Sequence, residues 1–317
     1  MTSITASTKH AIPKTKAAVP TRPTKTSGTK KDAPKRGGAP PLKASLSESQ
    51  IQELNKLDQA AQKDQVINFL RQAMGEETVV NKSTPHAAST TRDRSIAAAN
   101  VALLAKELGI FFVLKQCEVL NTLQRMLFPD GLQSLFSQST ENKGGLKPST
   151  SALSLSSMDA ATDATTAASV NSGGTDSKRG KTTPPSAREG SLLLIRALCE
   201  LVGKPAEPYV VTGFFAAALD ECGSSSSAVR EAAEDTASAL VELANGWTFP
   251  RLIFPMLLIS FQSTEWRVKY NGLARLEQCA TSTSALQVNH LLPKLIPEIT
   301  AQVFDTKAQV SLAVRLL

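Results

Sequence analysis

The chain has 317 residues, a formal net charge of +7, 41% hydrophobic residues and only 5% aromatics. Few aromatics beside plentiful Ala, Leu and Val suit helices packing through small and aliphatic side chains better than a β-sandwich core, which draws on β-branched and aromatic side chains; the composition predicts an all-α chain. The longest apolar run, 252–261, is about half of what a bilayer requires and contains Pro255, so no membrane partner is expected.

The charge is concentrated at one end. Residues 1–44 hold eight Lys and two Arg against Asp32, about +9, and the remainder is close to neutral or slightly acidic. Such a Ser/Thr/Pro-rich segment has too little apolar surface to offset the entropy of ordering, and 1–46 is expected to be a disordered basic tail. It admits three readings: a polyanion-binding arm through Lys14, Lys16, Lys30, Lys31, Lys35 and Arg36, a solubilising extension, or an organelle transit peptide. Pro content and weak amphipathicity count against the last, and no secretory signal core is present.

Residues 47–138 carry the first helices. Residues 47–74 read as a helix or a broken pair, with Ser47 as cap and Ile51, Leu54, Leu57 and Ala61 at helical spacing. A helix over 93–108 ends at Gly109, and another over 110–128 ends at Phe128-Pro129-Asp130-Gly131. Residues 139–187 are almost wholly Ser, Thr, Ala, Gly, Lys and Pro and are expected to be a disordered insertion. Within it, 174–182 imitates a phosphate-binding loop. Gly174 leaves five residues before the Gly-Lys-Thr where that loop needs four, and neither strand nor helix flanks it, so no nucleotide cofactor is expected.

The most regular block is 188–317. It predicts helices over 188–203, 207–223, 227–244, 250–262, 264–280, 288–304 and 305–317. In the third, Val229, Ala233, Thr236, Leu240 and Leu243 form one stripe; in 288–304 the apolar face is wide enough to need cover on more than one side. Val229-Arg230 and Val268-Lys269 are 39 apart, Val310 lies 42 beyond Val268, and Arg188 precedes Arg230 by 42. Helical hairpins recurring near forty residues predict a HEAT-repeat α-solenoid, with each helix B opening near Val-Arg. In that register 110–128 is the helix A preceding 188–203, which makes the insertion an expanded loop, at a closure cost that grows only logarithmically. Residues 93–108 are then the preceding helix B.

Residues 207–211 (EPYVV), 266–269 (WRVK) and especially 291–310 (LLPKLIPEITAQVFDTKAQV) resemble the N-terminal HEAT domain of the translation elongation factor 3 family, ribosome-associated ABC ATPases. In that family a Pro-Xaa-Leu-Ile-Pro helix leads to a Trp-Asp-Thr-Lys turn; this chain has Phe304-Asp305-Thr306-Lys307. The resemblance is clearest over 188–317. A related one is to the elongation-factor-3-like region of the giant HEAT protein that activates the amino-acid-starvation kinase, which 229–240 suits at least as well.

The family's activity rests on two downstream ATP-binding cassettes that drive deacylated tRNA from the E site, while the HEAT domain docks on the ribosome. The resemblance therefore implies a cytoplasmic ribosome-docking scaffold with rRNA and ribosomal proteins as partners. No ATPase activity carries over to this chain, which has neither phosphate-binding loop nor ABC signature. The last predicted helix stops at VRLL without a polar capping repeat, as a fragment would.

Basic residues near the helix B starts, Arg230, Arg267, Lys269 and Lys307, are the candidate ribosome contacts, although each taken singly also reads as a solvated charge. A general protein-protein scaffold is the second reading. Catalysis in its own right is not expected, because His10, His86 and His290 stand apart from any triad or metal spacing. Cys117, Cys199, Cys222 and Cys279 occur singly and read as buried apolar residues of a reducing compartment. No metal, small-molecule substrate or cofactor is expected.

Overall fold

In the computed structural model, which describes residues 42–76, 90–128 and 183–317, helix boundaries follow capping and breaker chemistry. α1 (Glu48–Lys56) opens on a capping box in which Ser47 and Gln50 satisfy each other's backbone N–H. Asp58 caps α2 (Gln59–Ala73), and Thr90 with Asp93 boxes α3 (Thr91–Glu107); such caps contribute about 1 kcal/mol each. A π-helical turn, Phe112–Gln116, precedes α4 (Val119–Leu127). α5 (Pro185–Ala197) runs on through a second π turn, Leu198–Val202, and stops at Gly203, whose φ of 72° suits a residue without a Cβ.

α6 (Glu207–Glu221) and α7 (Ser227–Leu243) follow, then a third π turn, Phe249–Ile253, leading into α8 (Phe254–Phe261). The last three are α9 (Trp266–Ser282), α10 (Ala285–Val303) and α11 (Ala308–Leu316). No strand occurs among the described residues.

These helices build two layers. α2, α4, α6, α8 and α10 each pack against the helix that follows, and α3, α5, α7, α9 and α11 stack on one another in chain order. The result is a HEAT-type α-solenoid whose core lies between the layers. Val229, Val268 and Val310 are buried at the third position of α7, α9 and α11, so the forty-residue spacing is a packing register. Leu192, Leu194, Ile195 and Leu198 are fully buried in the α5 segment, each contributing about 1.5–3 kcal/mol relative to exposure. The layers touch backbone to side chain at Gly272, where a Cβ would fall 2.2 Å from the Ser260 hydroxyl.

Three expectations need correction. Residues 42–46 belong to the fold rather than to the tail: the Leu42 N–H donates to Glu200 at 3.2 Å, and the buried Asn100 accepts the Ser45 N–H at 2.8 Å. The insertion ends earlier than residue 187, because Pro185 at the first helical position starts α5 and Ala187 is already buried.

The predicted helix over 110–128 is broken at Glu118, a non-glycine residue with φ of 58°. A straight helix would spread the buried Val113, Leu114, Cys117, Val119, Leu120, Leu123 and Leu127 over about 220° at 100° per residue; the break re-phases them onto one side. The break between α1 and α2 falls at Leu57, which is exposed, while Ile51 and Leu54 are buried. In α10 the wide apolar face is covered from both α8 and α11, with Leu295 buried and Ile296 left 55% exposed. That helix continues through Pro293 and Pro297.

Candidate functional site

The turns that join a first-layer helix to its partner (222–226, 262–265 and 304–307) lie along one edge, and all four predicted contact residues sit there. The fourth residue of successive second-layer helices is basic in four cases: Arg94 in α3, Arg188 in α5, Arg230 in α7 and Lys269 in α9. Each is engaged within the fold. Arg94 donates to Glu189 at 2.7 Å, with both side chains buried. Arg188 donates to Glu221 at 2.9 Å. Arg230 donates to the carbonyls of Ser224 and Ser225 at 2.8 and 2.7 Å. Lys269 reaches Asp305 of the next repeat at 2.8 Å.

Three of these four residues join one repeat to the next, and Arg230 instead closes its own turn. The Lys269 ammonium, then the Lys307 backbone N–H, hold the Asp305 carboxyl below the usual carboxylate range despite partial burial. A second set of polar links joins the same layer deeper down. Arg196 donates to Asp235 at 2.9 Å, Asn271 to Glu234 at 3.3 Å, and the buried Thr236 hydroxyl to the Leu192 carbonyl at 2.9 Å. Burial raises the Asp235 pKa, a shift that Arg196 only partly offsets.

Arg230 is thus committed to its own turn, and Lys269 to holding two repeats in register. Arg267 lies with its guanidinium 4.8 Å from the centre of the Trp266 ring, and Lys307 is exposed beside the 84% exposed Phe304. The clasping role was hidden from sequence reasoning because the acceptors come from different elements in each repeat. Arg94 could have been found by its register: it occupies in α3 the place that Arg188 and Arg230 occupy in α5 and α7.

Lys14, Lys16, Lys30, Lys31, Lys35, Arg36, His10, His86 and the 174–182 segment lie outside the described residues. His290 is an exposed residue of α10. The four cysteines are buried and unbridged, and burial raises each thiol, to about 12 at Cys199 and Cys279, which leaves them inert as nucleophiles. Among the described residues no cluster suits a metal ion, and no helix is long and apolar enough to cross a membrane. A cleft of about 430 Å³ opens between α2 and α4 beside the left-handed Glu118, with Arg71, Arg125, Thr122 and Met74 in its lining.

The chain matches the family described as EF3 N-terminal HEAT repeat over residues 150–315, just over half its length. It belongs to that family. It is 30% identical over 130 residues to Elongation factor 3 of Mycosarcoma maydis, covering 41% of this chain and 12% of that protein. Similar identity, 30% over 132 residues, links it to the eIF-2-alpha kinase activator GCN1 of Dictyostelium discoideum, at 41% of this chain and 5% of the relative. The human protein named Stalled ribosome sensor GCN1 is 32% identical over 130 residues, 40% of this chain and 5% of its own length. The matched segment is therefore a small part, about an eighth or less, of these relatives. No solved structure matches the chain.

Proposed function

We propose that this HEAT family member is a ribosome-docking scaffold of an elongation factor 3-like translation factor, acting by binding rather than by catalysis. The observation that carries this reading is the family match over 150–315, joined to relatives named Elongation factor 3 and Stalled ribosome sensor. Arg267 and Lys307 are the contacts for rRNA phosphates or acidic ribosomal protein surfaces. Arg230 and Lys269 contribute by holding the turns that present them, and the basic tail (Lys14, Lys16, Lys30, Lys31, Lys35, Arg36) adds sequence-independent attraction. Its cellular setting is the cytoplasm.

Co-sedimentation with salt-washed ribosomes tests the proposal. The chain pellets with ribosomes at low salt, and affinity falls steeply as salt rises because each neutralised phosphate releases counterions. Reversing Arg267 and Lys307 together weakens pelleting about tenfold, and deleting residues 1–41 flattens the salt dependence. Absence of pelleting at low salt overturns the reading.

The near-equal identity to the eIF-2-alpha kinase activator GCN1 favours a second reading, a scaffold that holds a starvation-response kinase activator on its target. In that case the ribosome is still bound, and the translation-factor assignment fails when the chain does not compete with an elongation factor 3 for ribosomes.

A further inference from the structure

The opposite edge of the solenoid is made by the turns that leave one repeat and enter the next, at 203–206, 244–248 and 283–284. These turns are bonded in series. Glu207, at the start of α6, accepts the Asn245 N–H at 2.9 Å and the Thr248 hydroxyl at 2.6 Å. The Lys204 ammonium donates to the Leu243 carbonyl, and the Gln287 amide donates to the Gly246 carbonyl at 3.0 Å. Asn245 in turn accepts the Trp247 and Thr248 N–H groups at 2.8 and 3.0 Å.

The turn holding Trp247 is therefore gripped from both neighbouring repeats, yet Trp247 itself is 73% exposed. Leu286, in the adjacent turn region, is 75% exposed, and Phe111 is exposed as well. The three share one register, four residues past the ends of α7, α9 and α3. A large apolar side chain left in water on a backbone with little freedom to lose is the composition of a binding hot spot.

Charge selects the partner. Arg251 is exposed, its guanidinium lies 5.9 Å from the centre of the Trp247 ring, and no carboxylate pairs with it among the described residues. A single-stranded nucleic acid would need stacking faces in succession and several cations along its backbone. Here Trp247 and the aliphatic Leu286 adjoin in sequence the hydrogen-bonded Gly246 and Gln287, and Lys204 is occupied by the Leu243 carbonyl.

We propose that this edge docks a protein segment carrying a large apolar side chain flanked by carboxylates, the apolar group covering Trp247 and Leu286 and a carboxylate meeting Arg251. The proposal stands apart from ribosome docking, since it uses the other edge and another partner chemistry.

The full chain carrying Trp266→Phe leaves Trp247 as the single tryptophan emitter. It is titrated with a short synthetic peptide that has a central Leu-Phe pair flanked by aspartates, with the same peptide flanked by lysines, and with a single-stranded oligonucleotide. If Trp266→Phe melts early, the difference between the unsubstituted chain and Trp247→Phe supplies the same signal. The expected result is a blue shift with the aspartate peptide, an affinity loss of about thirtyfold for Trp247→Ala, read by titration calorimetry because that variant has lost the emitter, and a switch of preference to the lysine peptide for Arg251→Glu. The proposal is overturned when neither peptide shifts the emission, when both shift it equally, or when only a single-stranded oligonucleotide quenches it.

Discussion

The two edges of the solenoid are built by the same repeats and treat their side chains in opposite ways. Along the edge of turns 222–226, 262–265 and 304–307, Arg188 and Lys269 are drawn to carboxylates of the next repeat and so maintain register, while Arg230 is drawn to carbonyls of its own turn. Along the edge of turns 203–206, 244–248 and 283–284, a buried carboxylate and backbone bonds maintain register, and Trp247 and Leu286 are left to solvent. The exposed Phe304 is the exception on the first edge. A basic residue at a helix start is therefore weak evidence of a polyanion site in this fold. An apolar residue on a pinned turn is stronger evidence of a partner.

The sharpest way to break this comparison is at its most buried clasp. Arg94→Met leaves the Glu189 carboxylate buried without its cation, and stability measured by urea unfolding is expected to fall by about 3–5 kcal/mol. A loss below about 1 kcal/mol means that the clasps are ornaments of the fold and that the first edge has charge to spare for ligands. Gly190→Ala comes next. A Cβ there falls 1.8 Å from the Ala73 carbonyl oxygen, so α2 must shift away from α5, at about 1–3 kcal/mol.

Acid should loosen both edges. At Glu207 burial pushes the carboxyl up, but hydrogen bonds from Thr248 and Asn245 outweigh it and the net shift is downward. Asp305 is also lowered, by Lys269 and Lys307. A carboxyl with a depressed folded pKa adds stability that is fully present above its unfolded value and is lost as pH falls through the folded one. Unfolding free energy should therefore decline below about pH 4.5, the ordinary value for Glu207. Glu207→Gln should flatten part of that decline, with a readout at the Trp247 turn. Asp235 works with the opposite sign: its raised pKa costs stability as pH rises through it, so Asp235→Asn should flatten a loss rather than a gain.

How much of this was legible beforehand depends on range along the chain. Helix spans and the forty-residue register could be read because Val229, Val268 and Val310 repeat one packing position, and packing through small residues is periodic. The break at Glu118 could not, since no Gly or Pro marks it and its cause is the need to bury seven residues on one side. The clasps escaped because Arg188 finds its partner 33 residues on and Lys269 finds one 36 on, distances that no local pattern encodes. Trp247 escaped for the converse reason: its exposure is the failure of a residue to find any place in the core, and sequence shows the residue but not the failure.

The smallest expected effect separates docking from folding on the first edge. Arg267 rests on Trp266 and Lys307 is exposed, so truncating either to Ala should change stability by no more than about 0.5 kcal/mol. Lys269→Ala removes a partly buried bond to Asp305 and should cost about 1 kcal/mol, visible as a lower urea midpoint. Ribosome pelleting by the Lys269 variant should then recover when the temperature is lowered, because its defect lies in the turn that presents Lys307. The Arg267 and Lys307 variants should stay weak at every temperature at which the chain is folded. A Lys269 defect that persists in the cold would place the ammonium itself on the ribosome and remove the contrast between the two edges.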